Sequence, residues 1–408
     1  MYVASLKTEE MQPVSFDVIF LDPRNPDPEP PHVIRPNRWQ FVPLEQPIHA
    51  TVANLCKFAR ASDPRTSSLV MYPDSHGELR IWGFVDQGSS HHHFVTHESE
   101  EGFERPGLFQ VSIAGIGHLV VFKGFETIGE LKRGALGLRS PDILHAGPVS
   151  KLLYAGFEKP IRLAISRIPK EVTVFPEQQK QRILLETYIT TITRLMLRIQ
   201  SLGQGAGLLV SPTGSHRKLD VKYPLRYRGL MDTATRYINH KFALASLLNL
   251  ADRSKRNEKS TMGLQRSHQN IWGGLSRLQD LRGALDGVLW FVSLLARVDG
   301  LVLMTPDMQV RGFGVEITER REPQNVYLSR TAQVRHGLSS VDYDLYGTRH
   351  RSMMRYCAAV PGSIGWVFSH DGDIRVMTRV GTRLVLWENI RLRLDLVRRW
   401  RHFERRGE

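Results

Sequence analysis

The stretch Tyr346-Gly-Thr-Arg-His-Arg-Ser-Met-Met-Arg355 sets two guanidiniums and an imidazole in what reads as the first turn of a helix. A helix N-terminus already carries about half a positive elementary charge, so cations placed there are unfavourable until an anion offsets them. Gly347 permits close backbone approach, Thr348 can cap the helix, and the first-turn N–H groups point outward. Together with Arg349, His350 and Arg351 they make a donor set suited to a polyphosphate. The plain alternative is a basic surface turn neutralised by the local acids Asp342 and Asp344.

Two other stretches hold groups of comparable interest. In Arg297-Val-Asp-Gly-Leu-Val-Leu-Met304, Asp299 and Gly300 stand at the mouth of an apolar run. A carboxylate at a strand end can hold a divalent cation or accept a hydroxyl proton, although Asp-Gly is also a common turn pair. Val367-Phe-Ser-His-Asp-Gly-Asp-Ile374 closes another run with Ser369, His370 and Asp371, which is either a second carboxylate for such a site or an ordinary hairpin turn. His93 and His97 have the i, i+4 spacing of a helical metal site, but with His91 and His92 they read as a solvated loop. Residues 211–218 lack the Gly-Lys-Ser/Thr ending of a phosphate loop. Trp82, Trp272, Trp290 and Trp366 read as core anchors rather than stacking platforms.

The elements that must position these groups follow from hydrophobic periodicity. Short β-like runs at 68–73, 79–86, 109–124 (a hairpin around Gly115–Gly117) and 162–168 predict an α/β or mostly β domain in the N-terminal part. Residues 21–36 are proline-rich and acidic, an extended linker or early loop. Beyond Pro176, Leu185, Tyr188, Ile189, Ile192, Leu195, Met196 and Ile199 recur on one helical face. A strand follows Gly203–Gly205, a partly helical segment runs over 226–251, and 252–270 reads as an exposed polar loop. A buried helix at 284–296 leads to strands at 298–304 and 309–317. A helix near 328–340 precedes the Arg-His-Arg stretch, and strands at 364–369 and 373–378 follow it. Helices alternating with strands make this an α/β domain.

The bulk composition is that of a folded protein of two or three domains: 408 residues, 41% apolar and 24% charged. The net charge of +14 favours polyanionic partners without choosing among nucleotides, nucleic acid and an acidic membrane surface. The basic stretch 391–408 reads as an amphipathic helix, either closing a core or serving as a DNA- or partner-binding arm, although no helix-hairpin-helix signature supports DNA binding. Two distant cysteines, Cys56 and Cys357, give no disulfide framework. No secretory leader opens the chain, and three charges interrupt the most apolar stretch, 283–304, so a cytoplasmic location without a transmembrane segment is expected.

The three chemical stretches, in this order and separation, resemble the diadenylate cyclase (DAC) domain. Asp299-Gly300-Leu301 is similar to that domain's Asp-Gly-Ala motif, and Gly347–Met353 to its Gly-Thr-Arg-His-Arg-Ala-Ala motif. Phe368–Ile374 lies where the family carries Ser-Glu-Glu-Thr-Gly, and the glycine-rich turn at 203–205 resembles the one before the domain's first strand. The likeness spans roughly residues 180–385. Residues 1–175 are similar in arrangement to the sensor domains, of the type called DACNV, found before some bacterial DAC domains. The resemblance thus implies an α/β protein: an N-terminal α/β or mostly β sensor domain (1–175), a DAC-like domain with a mixed central sheet flanked by helices (176–390), and the basic tail (391–408).

It implies, too, that two ATP condense to cyclic di-AMP with release of pyrophosphate. Asp299 would bind Mg²⁺ or Mn²⁺ or help activate the ribose 3′-hydroxyl, with Asp371 as second metal ligand. Gly300, Leu301 and Gly347 would lie against the nucleotide. Thr348, Arg349, His350, Arg351 and Ser369 would hold the phosphates, and the strand containing Gly314 would wall the adenine pocket. Because each 3′-hydroxyl must attack the other molecule's α-phosphate, the active species would be at least a two-fold homodimer. The sensor's own ligand is not implied. Three departures, Leu301 for Ala, His370 for Glu and Asp371 for Glu, leave open a domain that binds nucleotide but catalyses weakly or not at all.

Overall fold

The computed structural model describes residues 1–9, 12–27, 39–88, 107–123, 126–132, 134–137, 141–168, 175–212, 218–257, 261–334, 337–370, 372–390 and 392. The expectations for His91–His93 and His97, for most of the proline-rich linker, for Asp371 and for the basic tail beyond Leu392 therefore lie outside the described residues. Two compact units emerge, one within Met1–Arg139 and the other Ser140–Arg393.

The first unit opens with α1 (Tyr2–Ser5) and a small ribbon, β1 (Thr8–Glu9) with β2 (Gln12–Pro13). Its main sheet holds β3 (Asp17–Phe20), β4 (Gln40–His49), β5 (Ser67–Pro73), β6 (Leu79–Asp86), β7 (Phe109–Gly115), β8 (His118–Lys123), β9 (Glu126–Lys132) and β10 (Ala135–Gly137). The strand order is β10-β9-β8-β7-β3-β5-β6-β4. Among the described residues β3 and β5 pair in parallel and the other neighbours antiparallel, so the sheet is mixed. The helix α2 (Val52–Ala59) is capped by Thr51, whose hydroxyl accepts from the Asn54 N–H at 3.2 Å, and it buries Leu55 and Cys56 in the core with Val18, Leu69 and Ile81. The hairpin expected around Gly115–Gly117 is present between β7 and β8.

The second unit is a nine-stranded mixed sheet between helical layers. It contains α3 (Gly147–Ser166), α4 (Glu177–Ser201), β11 (Ala206–Val210), β12 (Leu219–Tyr227), α5 (Gly229–Asn257), α6 (Thr261–Leu295), β13 (Leu301–Met304), β14 (Val310–Ile317), β15 (Val326–Leu328), β16 (Ser339–Val341), α7 (Thr348–Ala359), β17 (Ile364–Phe368), β18 (Ile374–Val380) and β19 (Arg383–Trp387). The order is β12-β14-β13-β11-β17-β18-β19-β15-β16, with β11 parallel to β13 and β15 parallel to β19.

Strands β11, β13 and β17 are buried along their whole length and read as unbroken apolar runs, as strands covered on both faces must. Side chains still alternate between the faces. Leu208, Val210, Val302, Met304, Trp366 and Phe368 enter the core under α3–α6, whereas Leu209, Leu301, Leu303 and Val367 enter a separate core with Met353, Met354, Tyr356 and Cys357 of α7.

Several sequence expectations are corrected here. Residues 162–168 are not a strand but the last turn of α3 and the turn that follows it; Leu153, Phe157, Ile161 and Ala164 of that helix face the core at helical spacing, and Gly156 and Pro160 interrupt that pattern in the sequence. Because α3 belongs to the second unit, the units divide at Arg139–Ser140 rather than after residue 175. The segment near 328–340 holds the end of β15 at Leu328 and the start of β16 at Ser339, and its described residues are not helical. Most of the loop assigned to 252–270 is the end of α5 and the start of α6. Trp366 is a core anchor and Trp82 is partly buried, but Trp272 and Trp290 are exposed on α6. Both cysteines are free and buried, and no helix among the described residues is long and apolar enough to cross a membrane.

Candidate functional site

The sheet topology brings the three chemical stretches to one edge. β11 and β13 begin there, β17 ends there, β18 begins there and β19 ends there, as the pairings Leu208↔Val302, Ala206↔Phe368, Phe368↔Ile374 and Val376↔Trp387 require. Asp299-Gly300, Gly205, Ser369, Arg375 and Glu388 therefore line up along that edge. Neighbouring strands are about 4.8 Å apart, so the row from β13 to β18 spans roughly 14 Å.

Asp299 is exposed, and its Oδ1 accepts the Gly300 N–H at 3.0 Å. Gly300 has φ +109°, and a Cβ there would come within 2.7 Å of the Gly314 backbone, so only glycine fits where β13 and β14 meet. Gly314 is itself left-handed, at φ +61°, under the Tyr223 ring. Leu301 does not face the edge: it is 5% exposed, and its Cδ2 occupies the space that a side chain on Gly207 would take, beside Met353. The sequence placed Leu301 against the nucleotide, but its side chain belongs to the core beneath α7.

Helix α7 starts at Thr348, with Gly347 as its N-cap and no side-chain cap, so Thr348 is the first helical residue rather than the cap. Gly347 and Thr348 are exposed, and Arg349, His350 and Arg351 are half-buried. The three basic side chains meet different surroundings. The Arg349 guanidinium lies over Gly205, in space that a Cβ would fill, and has no hydrogen-bond or ion-pair partner among the described residues. Arg351 sits 3.6 Å from Asp344 and 6.0 Å over the Tyr343 ring, so the neutralising-acid alternative holds for it in part; an ion pair this exposed contributes little. Asp342 instead caps the short 3-10 turn at Tyr343–Leu345.

His350 meets Arg375, which the sequence reading missed. Arg375 Nη1 lies 3.2 Å from His350 Nε2 and 3.2 Å from Ser369 Oγ, and Arg375 Nε donates to Glu388 Oε1 at 2.9 Å. A guanidinium only donates, so Nε2 is the acceptor and the imidazole proton sits on Nδ1. The Tyr346 hydroxyl donates to the same Glu388 oxygen at 3.3 Å. Burial, reinforced by Glu388, pushes that phenol up to about 12, so it stays a donor. The turn after β17 is a tight hairpin, with Ser369 N–H to Asp373 O at 2.8 Å and Gln200 Nε2 to Gly372 O at 2.7 Å.

No group of three metal-ligating side chains is found among the described residues. Asp299 nonetheless fits a hard cation: its carboxylate is exposed and its one hydrogen bond among the described residues is to the next residue's N–H. Mg²⁺ is commonly held by one or two carboxylates together with substrate phosphates.

The comparisons with known proteins bear on the first unit. A family model described as a probable sensor domain, DACNV, matches residues 1–86, from α1 through β6. This supports an N-terminal sensor domain. No curated protein and no solved structure matches the chain.

Proposed function

We propose that the second unit is a diadenylate cyclase, which joins two ATP into cyclic di-AMP, and that the first unit regulates it. The observation that carries this reading is Arg349: a half-buried guanidinium at a helix N-terminus, beside bare backbone, with no protein anion to balance it among the described residues. A triphosphate supplies that anion. The match of residues 1–86 to a DACNV sensor domain supports the same context from the other end of the chain.

In this reading each ribose 3′-oxygen forms a bond to the other ATP's α-phosphorus as the bond to the departing pyrophosphate breaks. Asp299 accepts the hydroxyl proton or contributes to a cation site together with Asp371. When bound, Mg²⁺ or Mn²⁺ supplies Lewis-acid charge to the phosphates. Arg349, Arg351, His350 and the first-turn N–H groups of α7 bind phosphate oxygens and stabilise the charge that grows on them. Ser369 adds a hydroxyl, and the bare backbone at Gly300 and Gly314 lets the nucleotide lie close. Two copies must face each other, because one site holds one ATP.

Incubating the full chain with ATP and Mn²⁺ and separating the products by chromatography tests the reading: cyclic di-AMP and pyrophosphate should appear. Asp299→Asn should abolish both while leaving ATP binding measurable. If Asp299→Asn and the double variant Arg349→Ala, His350→Ala cyclise ATP like the parent, the site is elsewhere. A second reading, a nucleotide sensor without turnover, is favoured by His370 and Asp371 in place of two glutamates; it expects ATP binding and no product.

A further inference from the structure

We propose that Arg375 is a triphosphate-binding residue of this site, and that it sets the orientation of His350 and Ser369 as it binds. The inference rests on the cyclase reading and extends it to a residue outside all three motifs. Arg375 sits on β18 opposite Val367, on the α7 side of the sheet, with its side chain 24% exposed. One guanidinium reaches three groups: Glu388 through Nε, and both Ser369 and His350 through Nη1. A purely structural ion pair needs Glu388 alone. Here the fork also fixes the tautomer of the central histidine of the Arg-His-Arg motif and the hydroxyl of the Ser369 turn. Nη2 makes no bond to the described residues, which leaves a donor on the guanidinium for a phosphate oxygen. Glu388, steadied by Tyr346, holds the fork in place before the anion arrives. Glu388 balances the fork in the empty site, and a bound polyanion gives its remaining donor a second partner near the helix N-terminus.

The test uses the full chain and two probes that cannot react. 3′-Deoxy-ATP keeps the triphosphate and lacks the attacking hydroxyl; 3′-deoxyadenosine lacks the triphosphate as well. Titration calorimetry at constant Mn²⁺ gives the affinities. Arg375→Lys keeps the charge but loses the fork, and it should weaken 3′-deoxy-ATP by about tenfold while leaving 3′-deoxyadenosine within about twofold. Arg379→Lys, on the same strand but bonded to Ala358 O and Gly381 O, should change neither. Should Arg375→Lys melt out, Glu388→Gln leaves the guanidinium in place without its anchor and should weaken 3′-deoxy-ATP selectively. Equal affinity of parent and Arg375→Lys for 3′-deoxy-ATP overturns the inference and leaves the cyclase reading standing. An equal loss for both probes makes Arg375 a structural residue and also overturns it. If the parent itself fails to bind 3′-deoxy-ATP, the cyclase reading falls and takes the inference with it.

Discussion

Replacing Leu301 by alanine separates two accounts of the residue that follows Asp299-Gly300. If the leucine crowds the reacting centre, alanine should relieve it and turnover should rise. The structure gives the opposite expectation. The Leu301 side chain is 5% exposed and packs in the core with Leu209, Leu303 and Met353. Its neighbour across the parallel β11–β13 pair is Gly207, whose missing side chain is what makes room for the leucine tip. Leu301→Ala therefore opens a cavity between two alanine-sized or smaller positions that cannot refill it. Buried Leu→Ala changes cost about 2–5 kcal/mol, and this one should fall near 3. In a unit of this size that lowers the melting temperature by roughly 6–12 °C.

The converse change, Gly207→Ala, drives a methyl into Leu301 Cδ2, with Met353 Cε 3.7 Å away on the other side. Overpacking of this kind costs about 1–3 kcal/mol. The double variant returns the methyl to the space the leucine has left, so its loss should be smaller than the sum of the two single losses by about 1–3 kcal/mol. Urea unfolding of the parent, the two single variants and the double variant measures that coupling. The cyclase assay on the same proteins, below their melting temperatures, shows whether Leu301→Ala changes turnover. Additive losses, or a Leu301→Ala variant that is stable and faster than the parent, would refute the packing described here and put the leucine at the reacting centre.

Other perturbations reach different parts of the second unit. Gly300→Ala forces a side chain onto the Gly314 backbone at an unfavourable φ, and it should destabilise the unit by at least about 2 kcal/mol by urea unfolding and abolish 3′-deoxy-ATP binding. Asp286 is the carboxylate that Arg194 and Arg198, both buried on α4, share from α6; burial raises its carboxyl above the ordinary range despite them. Asp286→Ala should lower stability by about 3–5 kcal/mol, seen as an earlier urea midpoint. Tyr188, bonded to Thr235 Oγ1 at 2.7 Å, is pushed by burial from about 10 to about 12. The folded state thus keeps a proton that the unfolded state releases, and stability should fall by about 2–3 kcal/mol as pH rises from 10 to 12. Tyr188→Phe should flatten that alkaline slope in pH-dependent melting, and an unchanged slope would show that the phenol does not titrate on unfolding.

What the sequence disclosed depended on how strongly each element marked itself. β11, β13 and β17 were legible because a strand covered on both faces is a continuous apolar run, and α4 because its apolar residues recur every three or four positions. β12 carries alternating polar residues and Pro224, the signature of an edge strand, and gave little periodic signal. α3 was hidden by Gly156 and Pro160. At the candidate site, Asp299 and the residues of Gly347–Arg351 stood out because their types are unusual together. Arg375 and Glu388 did not, since each is an ordinary polar residue at the end or outer position of a strand. Their meaning comes from long-range pairing of β17, β18 and β19, which places them beside Ser369 and His350. Local pattern carries no information about such contacts.

The charge at the start of α7 shows why those missed residues matter. Taken from the sequence, three consecutive basic side chains beside a helix dipole look like one undivided cationic cluster. In the fold they separate. Arg351 is partly answered by Asp344, and His350 accepts a bond from Arg375, whose charge Glu388 offsets. What remains is the Arg349 guanidinium over Gly205, one strand away from an exposed carboxylate at Asp299. In the cyclase proposal these two groups divide the work at one sheet edge, the guanidinium taking phosphate oxygens and the carboxylate a metal ion or the attacking hydroxyl's proton.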